Sequence, residues 1–282
     1  MLKKIDIAKK FLSENASSFR CPICHSSFIQ TDHALICTEK HRFELSKKGT
    51  LYFLKTHIQT EYDHQMFVHR QAMIKSGMYE SMLKKLVPYL NDKELVLDVG
   101  CGEGSFLNAL SEASTAKKKI GFDISKEGIY LATNQPANET FWCAADLTNL
   151  PFADRSVDCI LNIFSPSHYK EFARVLKPGG QVVKIIPEAG YLKELRAAFF
   201  PNDQKKQTYS NQKVIDKFSE SMKVITNERV ATVFEIPEAR RLDLLEMSPL
   251  EWQADPKIKA ELQRNPFEKI TVDLRMLVGE IR

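Results

Sequence analysis

From Glu94 onward, short apolar runs (LVLDV, IGFD, TFWCA, DCILN, VVKII) alternate with stretches whose apolar positions recur at helical spacing. The alternation predicts strands at 94–99, 119–123, 140–144, 157–162 and 181–186, and helices at about 104–115, 125–134, 168–176 and 189–198. This is the order of an α/β, Rossmann-like doubly wound sheet. Pro178-Gly179-Gly180 marks the turn into the fifth strand, because Pro stops the preceding helix and Gly relieves backbone strain. Residues 199–220 are polar and predict an exposed loop and a helix. Alternating apolar positions at 222–235 and 269–280 predict two further strands closing the sheet, with a helix at 238–247 broken by Ser248-Pro249.

The first third has a different rhythm. Ile5, Ala8, Phe11 and Leu12 predict a short amphipathic helix within 1–18. Residues 21–54 combine closely spaced turns with few apolar residues, too little for an independent core, so a metal staple is physically sensible there. Residues 60–90 read as helical, ending near Val87-Pro88. The chain thus divides into a helix with a metal-binding ribbon (1–59), a helical connector (60–92) and a large α/β domain (93–282).

Composition narrows the setting. Of 282 residues 43% are apolar, enough for a full-size core with a smaller attachment, and the net charge of +4 permits a polyanionic partner without requiring one. No window approaches the roughly 18 consecutive apolar residues of a membrane span, and the N-terminus lacks a signal-peptide pattern. A soluble, cytoplasmic protein with no membrane attachment is expected. In that setting Cys21, Cys24 and Cys37 read as metal ligands, and the scattered Cys101, Cys143 and Cys159 as small buried hydrophobes.

The pair Cys21-x2-Cys24, twelve intervening residues and Cys37-x3-His41 offer three thiolates and an imidazole. Such a donor set favours one structural Zn2+, with an iron–sulfur site as the alternative. Four ligands leave no open position, so the ion organises structure and activates no water. His25 and His33 are competing donors but complete the second pair less naturally. Lys40, Arg42, Lys47 and Lys48 surround the last ligand, as a phosphate-facing surface or a solvated basic face.

The strand ending at Asp98 runs into Gly100-Cys101-Gly102-Glu103-Gly104, where small residues let the backbone approach a nucleotide cofactor and Asp98 accepts hydrogen bonds near its amino-acid end. A bare GxGxG also fits nicotinamide and flavin enzymes. Asp123 closes the next strand, where a carboxylate accepts from both ribose hydroxyls; Asp146 follows the third strand near an adenine amino group, with Leu147 as an apolar contact. Each aspartate has a helix-cap or loop role as its plain alternative. The fourth strand ends in Asn162-Ile163-Phe164-Ser165-Pro166, at the carboxyl edge where open sheets place ligands. There Asn162 is placed to hydrogen-bond a planar amide-like group, with loop capping as its alternative. With Arg174-Val175-Leu176-Lys177-Pro178-Gly179-Gly180, residues 94–187 resemble the class I S-adenosylmethionine methyltransferases.

Taken with CPIC at 21–24, CTEKH at 37–41, the 162–166 segment and Met247-Ser248-Pro249-Leu250-Glu251-Trp252, the chain resembles the bacterial 23S rRNA guanine-N1 methyltransferase family over nearly its whole length. The resemblance implies S-adenosylmethionine as methyl donor and a zinc on Cys21, Cys24, Cys37 and His41. It also implies an acceptor guanine in a domain II hairpin loop of 23S rRNA, RNA recognition through the ribbon, and a homodimer. Tyr79 then helps enclose the cofactor with Gly100, Gly102, Glu103 and Gly104, and Tyr191 stands where family members present a histidine. For the chemistry, Asn162 is the positioning candidate, and Glu188 accepts a guanine donor or assists proton removal. Competing readings are a noncatalytic RNA-binding or ribosome-assembly protein, and a methyltransferase acting on another acceptor.

Overall fold

The computed structural model describes residues 3–55, 58, 63–136 and 140–282. The chain opens with α1 (Lys4–Asn15), which buries Ala8 and Leu12. A small antiparallel sheet follows, made of β1 (Phe28–Gln30), β2 (Ala34–Cys37) and β3 (Arg42–Glu44). Next come β4 (Leu51–Tyr52), α2 (His64–Lys75) and α3 (Glu80–Leu90). The expected alternation then appears as β5 (Leu95–Val99), α4 (Ser105–Ala113), β6 (Lys118–Asp123), α5 (Lys126–Ala132), β7 (Thr140–Ala144), β8 (Val157–Ile163), α6 (Tyr169–Val175) and β9 (Leu176–Pro187). After α7 (Lys193–Phe199), α8 (Gln204–Gln207) and α9 (Gln212–Ser221) come β10 (Met222–Glu235), α10 (Asp243–Glu246), α11 (Pro256–Arg264) and β11 (Lys269–Ile281).

Eight strands form one sheet in the order β10-β11-β9-β8-β5-β6-β7-β4. The strands from β4 to β9 are parallel, and β11 runs antiparallel between β9 and β10. Every residue of β5 and β7 is buried, as covering both faces of a parallel sheet demands. From β5 the chain steps outward through β6 and β7, then returns to β8 on the other side of β5. The carboxyl ends of β5 and β8 therefore flank the switch point where such sheets bind ligands.

Several details depart from the sequence reading. Pro88 lies inside α3, where it cannot donate to Lys84 O, and the helix runs on for only two more residues, to Leu90. Over the described residues 63–90 the expected helical stretch is two helices, broken around Gly77, whose φ is +93°. β9 begins at Leu176, and Lys177–Gly180 loop out of the ladder between the pairs Val157–Leu176 and Cys159–Gln181. The helix α11 had no counterpart in the pattern, its apolar positions being few. The expected boundary at residues 59 and 60 lies outside the described residues.

The ribbon shares a core with the sheet. Leu51 and Tyr52 of β4 pair with Cys143 and Ala144 of β7, extending the sheet by one parallel strand. Phe19 packs against Phe53, Phe141 and Phe152 at centroid distances of 6.0, 5.8 and 5.5 Å, and Phe11 stacks on Phe141 at 5.0 Å. Backbone bonds Arg20 N to Pro151 O (3.1 Å) and Ala153 N to Ser18 O (2.9 Å) fix the seam, and Asn149 Nδ2 donates to Pro22 O at 2.7 Å. Among the described residues no helix is long and apolar enough to cross a membrane.

Candidate functional site

Two turns bring the ribbon's ligands together. The Sγ atoms of Cys21, Cys24 and Cys37 and a ring nitrogen of His41 lie within 4.8 Å of one another. Cys24 Sγ stands 3.6 Å from Cys37 Sγ, and His41 Nδ1 stands 3.6 Å from Cys21 Sγ and 3.4 Å from Cys37 Sγ. A tetrahedron with metal–sulfur bonds near 2.3 Å has edges of roughly 3.7 Å, so the four donors fit a tetrahedral ion. Backbone N–H groups of Ile23 and His41 donate to Cys21 Sγ (3.4 Å) and Cys37 Sγ (3.2 Å), which orients the two sulfurs within the cluster. His25 and Lys40 follow the two turns with φ of +61° and +62°. Neither His25 nor His33 joins the cluster, and His33 pairs instead with Asp32 at 3.4 Å. Lys40, Arg42, Lys47 and Lys48 are all exposed, although Arg42 pairs with Glu44 (2.8 Å) and Lys48 lies over Tyr130.

At the switch point, Gly100 and Cys101 donate their N–H groups to Phe122 O at 2.9 and 3.0 Å, which folds the turn back over β6. Gly102 N donates to Asp123 Oδ2 and Ser125 N to Asp123 Oδ1, both at 2.8 Å. Each Asp123 oxygen keeps acceptor capacity for a further donor. Gly100 has φ +69°, and a Cβ there would lie 2.6 Å from Ser165 Cβ; at Gly102 (φ +54°) it would meet Phe67 Cε1 at 3.1 Å. Gly104 supplies the left-handed residue preceding α4.

Three carboxyl groups crowd this turn. Asp98 is 2% exposed, and burial, then Asp123 and Glu103, push its carboxyl up to about 8. Burial also raises Glu103 and Asp123, opposed in both by the Arg70 guanidinium. Glu103 Oε1 is buried without a hydrogen-bond partner. An orphaned carboxylate oxygen among buried acids suits a cationic ligand. A ligand carrying an ammonium and a sulfonium, as S-adenosylmethionine does, fits that chemistry.

Aromatic rings close the other side. Tyr79 lies edge-on to Phe106 (5.2 Å) and Phe164 (5.8 Å), and Tyr191 stacks on Phe164 at 5.6 Å. The Tyr79 and Tyr191 hydroxyls are 2.6 Å apart, so the two are brought together as candidates for one pocket. Arg70 of α2 lies over Phe106 and Phe164 at 5.9 and 5.8 Å. Asp146 Oδ1 accepts from Thr148 N and Oγ1, both at 2.8 Å, which fixes the loop after β7, with Leu147 packed against the core.

Beside this turn opens a cavity of about 660 Å³, lined by Phe164–Ser167 after β8, Lys184 and Ile186 of β9, Lys213 and Lys217 of α9, and Met247–Pro249. Asn162 does not reach into it as the sequence reading anticipated. Its Nδ2 donates to Ser165 Oγ (2.5 Å) and Pro166 O (2.8 Å), while Oδ1 accepts from Ser167 Oγ (2.7 Å) and Lys184 Nζ (2.5 Å). With donors and acceptor committed, it shapes the loop, its plain alternative role. Glu188 also stands away from the lining: its carboxylate is bound by Arg275 Nε. Asp273, 1% exposed and gripped by Arg229 at 2.7 and 2.8 Å, accepts from Gly190 N at 3.0 Å and steadies the segment carrying Tyr191.

Arg70, Phe67 and Lys184 escaped the sequence reading. The first two sit in a helix whose contact with the glycine-rich turn is tertiary. Lys184 did leave a signal: a lone cation inside the apolar run VVKII.

Comparison with known proteins places these features together. The family described as a methyltransferase domain matches residues 97–184. The family described as RlmA, N-terminal, a zinc ribbon, matches residues 19–56. YxjB of Bacillus subtilis (strain 168), assigned by inference as a 23S rRNA (guanine-N1)-methyltransferase, is 36% identical over 275 residues, covering 93% of this chain and 97% of its own. The 23S rRNA (guanine(748)-N(1))-methyltransferase of Streptomyces fradiae is 23% identical over 244 residues, 84% of this chain and 86% of that one. Among solved structures, a chain from the complex between the Haloferax volcanii Trm112 methyltransferase activator and a methyltransferase aligns with a TM-score of 0.52. It is 20% identical, covering 79% of this chain and 99% of that chain, a likeness of fold. With a ribbon and a methyltransferase sheet each matched in place, and a relative similar along nearly its full length, the chain belongs to the bacterial 23S rRNA guanine-N1 methyltransferase family of class I, S-adenosylmethionine-dependent enzymes.

Proposed function

We propose that the protein methylates N1 of a guanine in a domain II hairpin loop of 23S rRNA, with a structural zinc in its ribbon and two copies paired as a homodimer. The observation that carries the acceptor reading is the cavity beside the glycine-rich turn. Among its described lining residues are four cations, Arg70, Lys184, Lys213 and Lys217, four tyrosines and no carboxylate. Such a wall favours an anionic strand and a planar base. A guanine swung out of a loop enters it more cheaply than one in a duplex.

S-adenosylmethionine supplies an electrophilic methyl group when bound. Asp98 and Glu103 hold its cationic amino-acid end, Asp123 takes the ribose hydroxyls, and Asp146 with Leu147 borders the adenine. Gly100, Gly102 and Gly104 admit the cofactor by their lack of side chains. Tyr79, Phe164 and Tyr191 shield the junction between cofactor and acceptor from water, and the loop shaped by Asn162 sets the acceptor's distance.

The test is methyl transfer from labelled S-adenosylmethionine to unmodified 23S rRNA, followed by digestion and mapping. One N1-methylguanine in a domain II hairpin loop is expected. RNA binding without transfer would support a noncatalytic role, and a mark on another base or atom would reject the acceptor. One zinc per chain by elemental analysis and a dimer mass by sedimentation are expected alongside.

A further inference from the structure

Lys184 stands in the middle of β9, where Val182, Val183, Ile185 and Ile186 are all buried, and is itself 3% exposed. A charged amine there is costly, and an aliphatic residue would complete the strand without that cost. Among the described residues no carboxylate pairs with it. Its three protons meet Asn162 Oδ1 at 2.5 Å, Ser167 Oγ at 2.9 Å and Ser165 O at 3.1 Å, which saturates an ammonium. Burial lowers its pKa to about 8, so the protonated form dominates at neutral pH.

The acceptors are not scattered. Asn162 is the penultimate residue of β8, and Ser165 and Ser167 belong to the loop running from its end into the cavity, which Ser165, Pro166 and Ser167 line together with Lys184 itself. Asn162 binds Lys184 through Oδ1 and the loop through Nδ2, so the ammonium and the loop form one hydrogen-bonded unit. The other charged groups on the cavity wall are Arg70, Lys213 and Lys217.

We propose that Lys184 is a positioning residue for N1 methylation, its ammonium fixing the acceptor loop and placing a positive charge in the wall against which guanine gives up its N1 proton. This rests on the guanine-N1 reading above. Guanine N1 carries a proton at neutral pH, and its departure leaves negative charge shared between N1 and O6. A cation held in a poorly hydrated wall favours that anion. The N1 proton passes to water at the cavity mouth, and its electron pair stays on nitrogen. That pair forms the bond to the methyl carbon as the carbon–sulfur bond breaks, with its pair remaining on sulfur. Lys184 keeps its protons throughout.

Lys184→Met removes the charge and keeps the reach. At pH 7 we expect kcat on 23S rRNA to fall about 100-fold, with KM for RNA and calorimetric affinity for S-adenosylmethionine changed less than about threefold. The deficit should shrink toward about pH 9, where solution takes the N1 proton more readily and the wild-type lysine loses its own. Lys184→Gln, neutral but able to bond the loop, should stay slow; it decides alone if the Met variant does not fold. A Met variant within threefold of wild type, a Gln variant at wild-type rate, or a deficit independent of pH would overturn the proposal. If the wild type marks another atom, the guanine reading fails; if it marks N1 and the variants are unimpaired, only the role of Lys184 fails.

Discussion

Asp98 combines burial with two acidic neighbours, so its carboxyl titrates near 8 instead of in the ordinary range near 3.9. A raised acid binds more protons folded than unfolded across that interval, so it erodes stability as pH rises from about 4 to about 8. An ammonium selects the ionised carboxylate. Binding of S-adenosylmethionine at pH 7 is therefore expected to release a proton, seen as a binding enthalpy that changes between buffers of different ionisation heat; a buffer-independent enthalpy would contradict the Asp98 contact. Asp123→Ala removes the two N–H tethers to Gly102 and Ser125 along with the proposed ribose contact. Its cofactor affinity should drop roughly 10- to 100-fold in a calorimetric titration, the scale of charged hydrogen bonds. Gly100→Ala forces a side chain to φ +69° and to within 2.6 Å of Ser165 Cβ. A loss of at least about 1–2 kcal/mol in denaturant unfolding is expected, since an alanine pays that for the left-handed conformation alone.

At the scale of elements, the seam between ribbon and sheet alters what metal loss does. Sequence spacing implies a small module stapled by a metal, whose loss would destabilise that module alone. The structure adds β4 to the main sheet and buries Phe19, Phe53 and Phe141 in one aromatic cluster. Arg20 reaches across to Asp154 at 3.5 Å, beside the Arg174 pairs with Asp154 and Glu171. Cys24→Ser should therefore lower metal content and the melting temperature of the whole chain in one transition. An unchanged melting temperature with metal lost would show the ribbon to be thermally independent. The strand and helix order after Glu94 was legible because parallel strands buried on both faces leave continuous apolar runs. The β4 pairing was not, since two residues carry no period.

For the whole molecule, the proposed acceptor reading makes the cationic rim of the cavity the surface that would meet RNA. Lys213 and Lys217 stand one turn apart on α9, exposed at the cavity mouth, and neither forms an ion pair among the described residues. Replacing both with alanine should weaken RNA binding and reduce the slope of log affinity against log salt by about one per lysine, measured by titration over a salt series. An unchanged slope would place the RNA backbone elsewhere.

The sequence by itself determined the order of strands and helices after Glu94, the glycine-rich turn, the acidic ends of its strands and the cluster of four candidate metal ligands. Those features follow from local spacing: backbone periodicity, steric permission at glycine and short turns between donors. Only the tertiary structure decided which side chains face one another. It turned Asn162 inward onto its own loop, gave Glu188 to Arg275, laid Arg70 over the aromatic rings and set Lys184 at the root of the acceptor loop. A hydrogen bond or ion pair depends on distance between segments far apart in the chain, and no period along the sequence encodes that distance.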